Sequence, residues 1–269
     1  MNPGIWGLEH FLILKSNIDI YFFSGTGNTL LVARKIREKL FSSGYEVNLF
    51  PIEKSDPSSV NVNNTIGLGF PVAVQSTYPF VWDFIKNLPE GNSTEIFMFD
   101  TLAAFSGGIV GALKTFLLKK KYMPIGAEEI KMPSNFLTVS GNPEKNSKKV
   151  EKGLEAAEKY AEKLINNTAK WRRIPILCRI LFYLGTNKSV WKGLSEKAAL
   201  GISEDKCTKC GLCAVLCPVN NIEIKEGYPV FSKKCQLCMR CISFCPSGAI
   251  LKSGKVVKSY KAVKASEFS

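Results

Sequence analysis

Eight of the nine cysteines in this 269-residue chain lie in two short runs near its C-terminus. The runs are Cys207-Thr-Lys-Cys-Gly-Leu-Cys-Ala-Val-Leu-Cys-Pro218 and, 28 residues later, Cys235-Gln-Leu-Cys-Met-Arg-Cys-Ile-Ser-Phe-Cys-Pro246. At the N-terminus, Glu9 and His10 interrupt the apolar stretch and no basic segment precedes it, so we predict no secretory signal and a reducing, cytoplasmic environment. Clustered cysteines in that environment indicate metal binding rather than disulfides.

Both runs have the spacing C-x2-C-x2-C-x3-C-P, the pattern in which the fourth cysteine of each run ligates the other run's iron–sulfur cluster. Three closely spaced cysteines reach three irons of one cubane, and the proline after the fourth turns the chain away. A structural zinc site would normally use two CxxC pairs on either side of a longer loop, and a redox dithiol would need only one pair. The pattern therefore predicts two [4Fe-4S] clusters, with ligand sets Cys207, Cys210, Cys213 and Cys245 for the first cluster and Cys235, Cys238, Cys241 and Cys217 for the second.

Short strands are predicted after each Cys-Pro, at residues 221–224 and 248–250. Over about residues 200–258, this part of the chain resembles the bacterial-type 2[4Fe-4S] ferredoxins. It departs from many of them in charge, because it is basic where they are acidic. The ninth cysteine, Cys178, lies in an apolar stretch and is predicted to be buried.

The N-terminal half carries a second informative stretch. A predicted buried strand at residues 18–23 runs into a loop and then into a helical pattern from Leu30 to Leu40. Free backbone N–H groups and the positive end of the helix dipole then meet at one point, which suits an anion. The loop is neither a P-loop, since no Gly-Lys-Ser/Thr follows, nor a dinucleotide fingerprint, since Leu30 stands in place of the third glycine. Neutral hydroxyl and amide side chains suit a phosphate monoester, and the simpler alternative is a turn that caps a helix. The candidate binding residues are Ser24, Gly25, Thr26, Gly27, Asn28 and Thr29.

The letters FFSGTGNT resemble the FMN phosphate loop of flavodoxins, and the following sequence alternates strand and helix. Further strands are predicted at 46–52, 65–70, 95–100 and near 135–139, with helices at 78–87, 109–120 and 143–166. The predicted fold class is α/β, a flavodoxin-like doubly wound parallel sheet, followed by a small α+β 2[4Fe-4S] ferredoxin domain. The predicted boundaries are 1–167 for the first domain with its N-terminal extension, 168–199 for an apolar and basic connection, and 200–269 for the second domain.

The flavodoxin resemblance implies FMN, with its isoalloxazine ring between two loops at the carboxyl ends of the strands. Tyr78 and Phe105 either stack on the ring or pack in the core. Gly107 and Gly108 either allow the backbone to approach the ring or simply begin a helix. The candidate ring contacts are Pro71, Val72 and Tyr78 in the first loop, and Thr101, Leu102, Ala103, Phe105, Gly107 and Gly108 in the second.

The net charge of +13 comes without any recognisable nucleic-acid-binding pattern, so nucleic acid is not a predicted partner. A basic surface of this kind is either simply solvated or attracts an acidic partner. The connection is expected to pack on the domains, and contact with an anionic membrane surface is the less favoured alternative. His10, the single histidine, lies before the first strand, so no histidine-based catalytic apparatus is predicted and cofactor chemistry is favoured.

Taken whole, the order of motifs resembles the flavodoxin–ferredoxin fusion proteins of anaerobic bacteria and archaea, the EFR1-type ferredoxins. This resemblance implies a protein that relays low-potential electrons between two [4Fe-4S] clusters and FMN. Its partners would be redox proteins such as an acidic ferredoxin or a ferredoxin-dependent oxidoreductase. The alternative is a ferredoxin-fed flavin reductase with its own small-molecule substrate, and the sequence does not decide whether the chain is an enzyme. A pocket walled by residues 72–78 and 101–106 would favour the reductase, and an exposed flavin edge the carrier.

Overall fold

The structure, a computed structural model, describes residues 14–104, 108–135, 142–172, 182, 186–257 and 260–268. The N-terminal unit is built on a five-stranded sheet in which every pair of neighbours is parallel. The strand order is β2-β1-β3-β4-β5, that of the flavodoxin-like doubly wound folds. This order confirms the predicted fold class. The strands are β1 (Asn17–Phe22), β2 (Glu46–Pro51), β3 (Thr65–Pro71), β4 (Glu95–Leu102) and β5 (Met123–Lys131).

Helices cover both faces of the sheet, which is why β1, β3 and β4 are buried at almost every position. On one face, α1 and α4 pack over a cluster that includes Ile20 and Phe97, and on the other, α2 and α3 pack over a cluster that includes Leu68 and Met98. The helices are α1 (Asn28–Ser42), α2 (Pro79–Lys86), α3 (Ile109–Lys119) and α4 (Pro143–Ile165), close to their predicted bounds.

The prediction that the fifth strand of the sheet lies near 135–139 is wrong about its position in the chain, and residues 136–139 themselves lie outside the described residues. The fifth strand is β5, Met123–Lys131, and Asn135 lies in the loop after it. The sequence of β5 contains a proline, a glycine and two glutamates, which are unfavourable in a central strand. At the edge of a sheet, one side of the strand needs no ladder partner, so proline and charged residues are tolerated there.

The C-terminal unit is small and mixed, as predicted. The antiparallel hairpin β7–β8 follows the first cysteine run, and a second small sheet has the order β10-β9-β6. The strands predicted after the runs begin at Ile222 and Ile250. The elements are α5 (Lys188–Ala198), β6 (Leu200–Ile202), α6 (Leu212–Val215), β7 (Ile222–Lys225), β8 (Tyr228–Phe231), α7 (Arg240–Phe244), β9 (Ile250–Lys252) and β10 (Lys255–Val256).

The described parts of the connection and of the C-terminal tail pack on the N-terminal unit. Trp171 and Trp191 are 6% and 7% exposed and belong to the cluster between the sheet and α2–α3. At the other end of the chain, Val263 and Phe268 join the cluster beneath α1, and the Phe268 carbonyl accepts a hydrogen bond of 2.9 Å from Lys54. The tail therefore contacts the first unit although the predicted boundary assigned it to the second.

Some predictions fall on parts of the chain outside the described residues. These are the predicted roles of His10, Cys178, Phe105 and Gly107. None of the helices that the structure describes combines the length and the apolar character needed to cross a lipid bilayer.

Asp100, near the end of β4, gives the fold a predicted pH dependence. It is fully buried, and neither carboxylate oxygen has a hydrogen-bond partner among the described residues. Burial, with Glu129 nearby, raises the pKa of Asp100 well above its usual range. In the unfolded chain the same carboxyl loses its proton at about pH 4. The native state therefore holds one extra proton, and its contribution to stability is lost as the pH rises.

We expect the free energy of unfolding of the Asp100→Asn variant to fall less steeply than that of the wild type between about pH 5 and pH 8, by up to about 1.4 kcal/mol per pH unit. Anaerobic urea unfolding at several pH values measures this slope. Asp83 is an exposed carboxyl, and Asp83→Asn serves as the control for the same substitution at the surface. Equal slopes for wild type and Asp100→Asn would contradict the prediction.

Candidate functional site

Two apolar cavities in the C-terminal unit collect the eight clustered cysteines in two groups of four. One cavity is lined by Cys207, Cys210, Cys213 and Cys245, and the other by Cys235, Cys238, Cys241 and Cys217. In each group, three cysteines come from one run and the fourth from the other. The structure therefore brings together the side chains of each predicted ligand set.

The two runs also share an unusual backbone. Lys209 and Gly211 in the first run have φ values of +57° and +70°, and the equivalent residues Leu237 and Met239 in the second have +57° and +65°. Left-handed backbone costs about 1–2 kcal/mol for a residue with a side chain, and it persists where the surroundings require it. The same pattern of left-handed positions gives both loops a similar backbone path around their cysteines.

The sulfur atoms accept hydrogen bonds from backbone N–H groups. Asn221 N–H donates to Cys217 Sγ at 3.2 Å, Ala249 N–H to Cys245 Sγ at 3.3 Å, and Leu237 N–H to Cys235 Sγ at 3.4 Å. Such bonds stabilise thiolate sulfur and tune the potential of an iron–sulfur cluster. Four thiols around each apolar cavity, with these donors behind them, are a donor set that fits a [4Fe-4S] cluster.

The second cavity is the more deeply buried of the two. Burial raises the pKa of the Cys238 thiol to about 12, although the Arg240 guanidinium acts against this. Burial also raises the pKa of Cys241 well above its usual range. Thiolates form readily at such positions only with the positive charge of a metal. No three Cys, His, Asp or Glu side chains converge on a single-ion site within the described part of the chain. A cubane does not need such convergence, because each of its four irons takes one thiolate.

The loop 24–29 borders a third cavity, of about 100 Å³. It lies at the carboxyl ends of the parallel strands, next to the loops after β3, β4 and β5. The predicted residues that line it are Ser24, Gly25, Thr26, Asn28, Thr29, Pro71, Val72, Thr101, Leu102 and Ala103. Gly27, with φ of +108°, is the N-cap residue of α1.

The donors around this cavity are neutral. Helix α1 begins at Asn28, so the first N–H groups of the helix have no partner within it. Ser24 Oγ accepts a hydrogen bond from Gly27 N–H at 3.1 Å, and Thr26 Oγ1 accepts one from Asn135 Nδ2 at 3.0 Å, so both hydroxyls keep a proton to donate. Buried Asn28 Oδ1 has no partner among the described residues. This set fits a phosphate monoester, and the unpaired amide oxygen could accept from a neighbouring ligand hydroxyl.

A fourth cavity, of about 180 Å³, adjoins the third, since Val72 and Asn135 line both. Its walls are mainly apolar. Tyr78 is 5% exposed and stands edge-on to Phe23 with ring centroids 5.4 Å apart. The cavity is lined by Val72, Ala73, Val74, Tyr78, Asn135, Trp191, Leu194, Gln236 and Leu237. It has the position and character expected of a flat aromatic ring site, and residues of both units form it.

Two of the predicted ring contacts lie in different places, one at a cavity wall and the other at the start of a helix. Tyr78 is a buried residue at the wall of the fourth cavity, so both of its predicted roles remain compatible with its position. Gly108, with φ of +136°, is the N-cap residue of α3 and lines none of these four cavities, which fits the helix-start alternative.

Sequence reasoning missed several residues that line the cavities. Pro133 accepts a hydrogen bond of 2.8 Å from Asn28 Nδ2, and Asn135 binds Thr26. Both follow β5, and the misplaced fifth strand concealed them. Trp191, Gln236 and Leu237 come from distant segments, and no local pattern indicates them.

Arg240 joins the two units and was also missed. It lies between Cys238 and Cys241, the second and third cysteines of the second run, and is 3% exposed. One guanidinium nitrogen donates to the Ser24 carbonyl at 2.7 Å and contacts Glu53 Oε1 at 2.7 Å. The guanidinium carbon also lies 4.8 Å from the centre of the Phe23 ring and 4.4 Å from that of Phe268. The only feature of the sequence that could have singled out Arg240 is that the equivalent residue of the first run, Leu212, is apolar.

The approach of the two units is close enough to exclude a side chain. A Cβ on Gly25 would clash with the backbone carbonyl of Cys238, and a Cβ on Gly27 would lie 2.6 Å from Val263. Ala262 N–H donates to the Thr26 carbonyl at 2.8 Å. Both glycines of the loop are therefore needed where the C-terminal unit packs on it, in addition to any role in anion binding.

Comparison with known proteins identifies the C-terminal part. Residues 206–249 match the family described as 4Fe-4S dicluster domain. A ferredoxin-like protein in the nif region of Sinorhizobium fredii is 42% identical over 55 residues, which are 18% of this chain and 86% of that protein. The C-terminal part of the chain belongs to the ferredoxin-like 4Fe-4S dicluster family. An iron–sulfur, electron-transfer role follows for this ferredoxin domain.

An uncharacterized polyferredoxin-like protein of Methanocaldococcus jannaschii is 41% identical over 58 residues. That match spans 22% of this chain and only a quarter (25%) of the relative's length. Among solved structures, the two-electron reduced flavodoxin of Megasphaera elsdenii is 24% identical, with 53% of this chain and 98% of that chain covered and a TM-score of 0.39. The fold class of the first unit is accordingly defined by its own strand order.

Proposed function

We propose that this chain is a cytoplasmic electron-transfer protein that relays low-potential electrons between two [4Fe-4S] clusters and an FMN. The observation that most supports this is that the second cysteine run packs directly on the loop 24–29. Arg240 of that run donates to the Ser24 carbonyl, and the Cys238 carbonyl abuts Gly25. A cluster and a flavin held at these two places would be neighbours.

In this proposal the side chains act as holders of the cofactors. The two groups of four cysteines ligate the clusters, the loop 24–29 with Asn135 binds the FMN phosphate, and the apolar cavity beside Tyr78 holds the ring. The clusters carry single electrons and FMN supplies the exchange between single electrons and electron pairs. Burial of the second group of cysteines limits the access of water to the second cluster.

The first cysteine group provides the contact with an external donor or acceptor. Cys210 is exposed, and so are Lys206 and Lys209 beside it. Exposed positive charge at an electron entry point attracts an acidic partner and raises the rate of encounter. A low-potential one-electron protein of the ferredoxin class fits this surface.

The volume of the apolar cavity beside Tyr78 favours a relay over a reductase that binds its substrate in that cavity. A larger cavity, of about 390 Å³, shares Trp191 with it and lies beside α2 and α3. The apolar cavity measures about 180 Å³, whereas small-molecule sites usually measure roughly 300–1,000 Å³. A flavin ring would occupy most of it. Two residues of the ferredoxin domain, Gln236 and Leu237, form part of its lining.

The test is an anaerobic purification followed by iron, sulfide and flavin quantification on one sample. We expect about eight irons per chain and one FMN, with cluster and flavin absorbance both bleached by a ferredoxin-class reductant. Eight irons without flavin, even after incubation with FMN, would contradict the flavin half of the proposal. The first unit would then be a docking or small-ligand module attached to a ferredoxin.

A further inference from the structure

The residues between the first two cysteines of the second run line two cavities at once. Gln236 and Leu237 border the cavity that contains Cys217, Cys235, Cys238 and Cys241, and they also border the apolar cavity beside Tyr78. We propose that the second cysteine loop, residues 235–238, forms one wall of the flavin-ring site. The cluster held by this group is then the flavin-proximal one. This inference rests on the proposed binding of FMN and deepens it.

Leu237 is the central residue of this wall. It is 6% exposed, and its left-handed backbone, φ +57°, is set by its place between Cys235 and Cys238. Because one residue lines both cavities, a single layer of protein separates the cluster site from the ring site. An apolar side chain there packs on an aromatic ring and excludes water from the space between the two cofactors.

Gln236 connects this wall to the opposite one. Its Oε1 accepts a hydrogen bond of 3.2 Å from the backbone N–H of Phe80, at the start of α2. The Phe80 ring stands edge-on to Phe23 and stacks near Tyr78, on the flavodoxin-like side of the cavity. The amide nitrogen of Gln236 carries donors that match the carbonyl oxygens of a flavin. The hydrogen bond to Phe80 therefore links the second cysteine loop to the start of α2, next to Tyr78.

The first cysteine loop is placed differently, although its sequence spacing and backbone are the same. Its cavity is lined only by residues of the ferredoxin domain, within 207–250. Thr208 and Lys209, the equivalents of Gln236 and Leu237, are exposed, and Lys209 lies over the ring of Tyr228 at 4.2 Å. The two loops thus offer an internal comparison in which only one faces the ring site.

The experiment uses this repeat as its control. Leu237→Gly removes the wall side chain and keeps a backbone that glycine adopts without cost. Lys209→Gly makes the same change in the other loop. Iron-loaded, flavin-free protein is titrated with FMN anaerobically, the Kd is measured from quenching of flavin fluorescence, and the iron content of each variant is determined.

We expect Leu237→Gly to weaken FMN binding about 10-fold with its iron content unchanged, and Lys209→Gly to stay within about twofold of the wild type. An unchanged Kd in iron-replete Leu237→Gly, or equal losses in both variants, would overturn the inference while leaving the proposed function intact. Failure of the wild type to bind FMN would overturn both.

A second pair of variants tests the inference even if Leu237→Gly loses its cluster. Gln236→Ala and Thr208→Ala change side chains without altering a left-handed position. We expect the Kd for FMN to rise several-fold only in Gln236→Ala, by about the amount that one hydrogen bond contributes. Equal Kd values for FMN in Gln236→Ala and Thr208→Ala would contradict the proposal that residues 235–238 form a wall of the flavin-ring site.

Discussion

Replacing Arg240 with alanine is expected to lower the free energy of unfolding by about 3–5 kcal/mol, because it leaves one half of a buried ion pair alone. Glu53, its partner, is 8% exposed at the side chain, and the arginine side chain is 4% exposed. The change also removes the hydrogen bonds to the Ser24 and Leu216 carbonyls and empties the space between the Phe23 and Phe268 rings. Anaerobic urea unfolding followed by circular dichroism measures the loss.

Two variants control this experiment. Arg37 is exposed and donates one hydrogen bond of 3.1 Å to the Val47 carbonyl, so Arg37→Ala is expected to lose no more than about 1 kcal/mol. The double variant Arg240→Met with Glu53→Gln removes both charges and is expected to recover part of the stability lost in Arg240→Ala. If Arg240→Ala is as stable as Arg37→Ala, Arg240 does not hold the two units together.

Removing two cysteines at a time is expected to distinguish crossed from uncrossed ligation by iron content alone. With crossed ligation, Cys210 and Cys217 serve different clusters, and Cys210 and Cys245 serve the same one. The double variant Cys210→Ala with Cys217→Ala should therefore lose both clusters, falling from about eight irons to almost none. The double variant Cys210→Ala with Cys245→Ala should keep about four. The physical reason is that a cubane that lacks one of its four thiolates is exposed to solvent and lost.

Iron and sulfide quantification after anaerobic purification measures both variants. Each is the other's control, since both lack Cys210 and one fourth cysteine. The reverse outcome, with iron retained in Cys210→Ala with Cys217→Ala and lost in the other, would establish uncrossed ligation. It would also contradict the grouping of Cys217 with Cys235, Cys238 and Cys241 around one cavity.

Much of the fold could be predicted because its signals are local. A strand, the Ser24–Thr29 loop and a helix form a single unit of about 25 residues, and the alternation that follows it specified a doubly wound sheet. The helices after β3, β4 and β5 were predicted within one or two residues because their apolar periodicity is long. The fifth strand was misplaced because an edge strand escapes the burial that makes a strand recognisable.

The candidate site was predicted in part for the same reason. The phosphate-loop candidates and both runs of cysteines are contiguous motifs, and all but one of the loop 24–29 candidates line the third cavity. The walls of the apolar cavity beside Tyr78 do not lie in one motif, because Trp191 comes from α5 and Gln236 and Leu237 come from the second cysteine run, two segments far from Tyr78 in the sequence.

The sequence by itself determined the ligand chemistry. Thiols at intervals of three bind iron–sulfur clusters wherever the loop folds, and a strand followed by a Gly- and Thr-rich turn and a helix presents backbone N–H groups to an anion in any context. Only the tertiary structure decided which group of cysteines lies next to the apolar cavity beside Tyr78, because the two cysteine runs have the same spacing and nearly the same backbone. What separates them is Arg240, which lies buried against Glu53 and Ser24, whereas the equivalent residue of the first run, Leu212, carries no charge and is partly buried against the cluster beneath α1. A buried charge needs a partner, and that partner lies in the other unit.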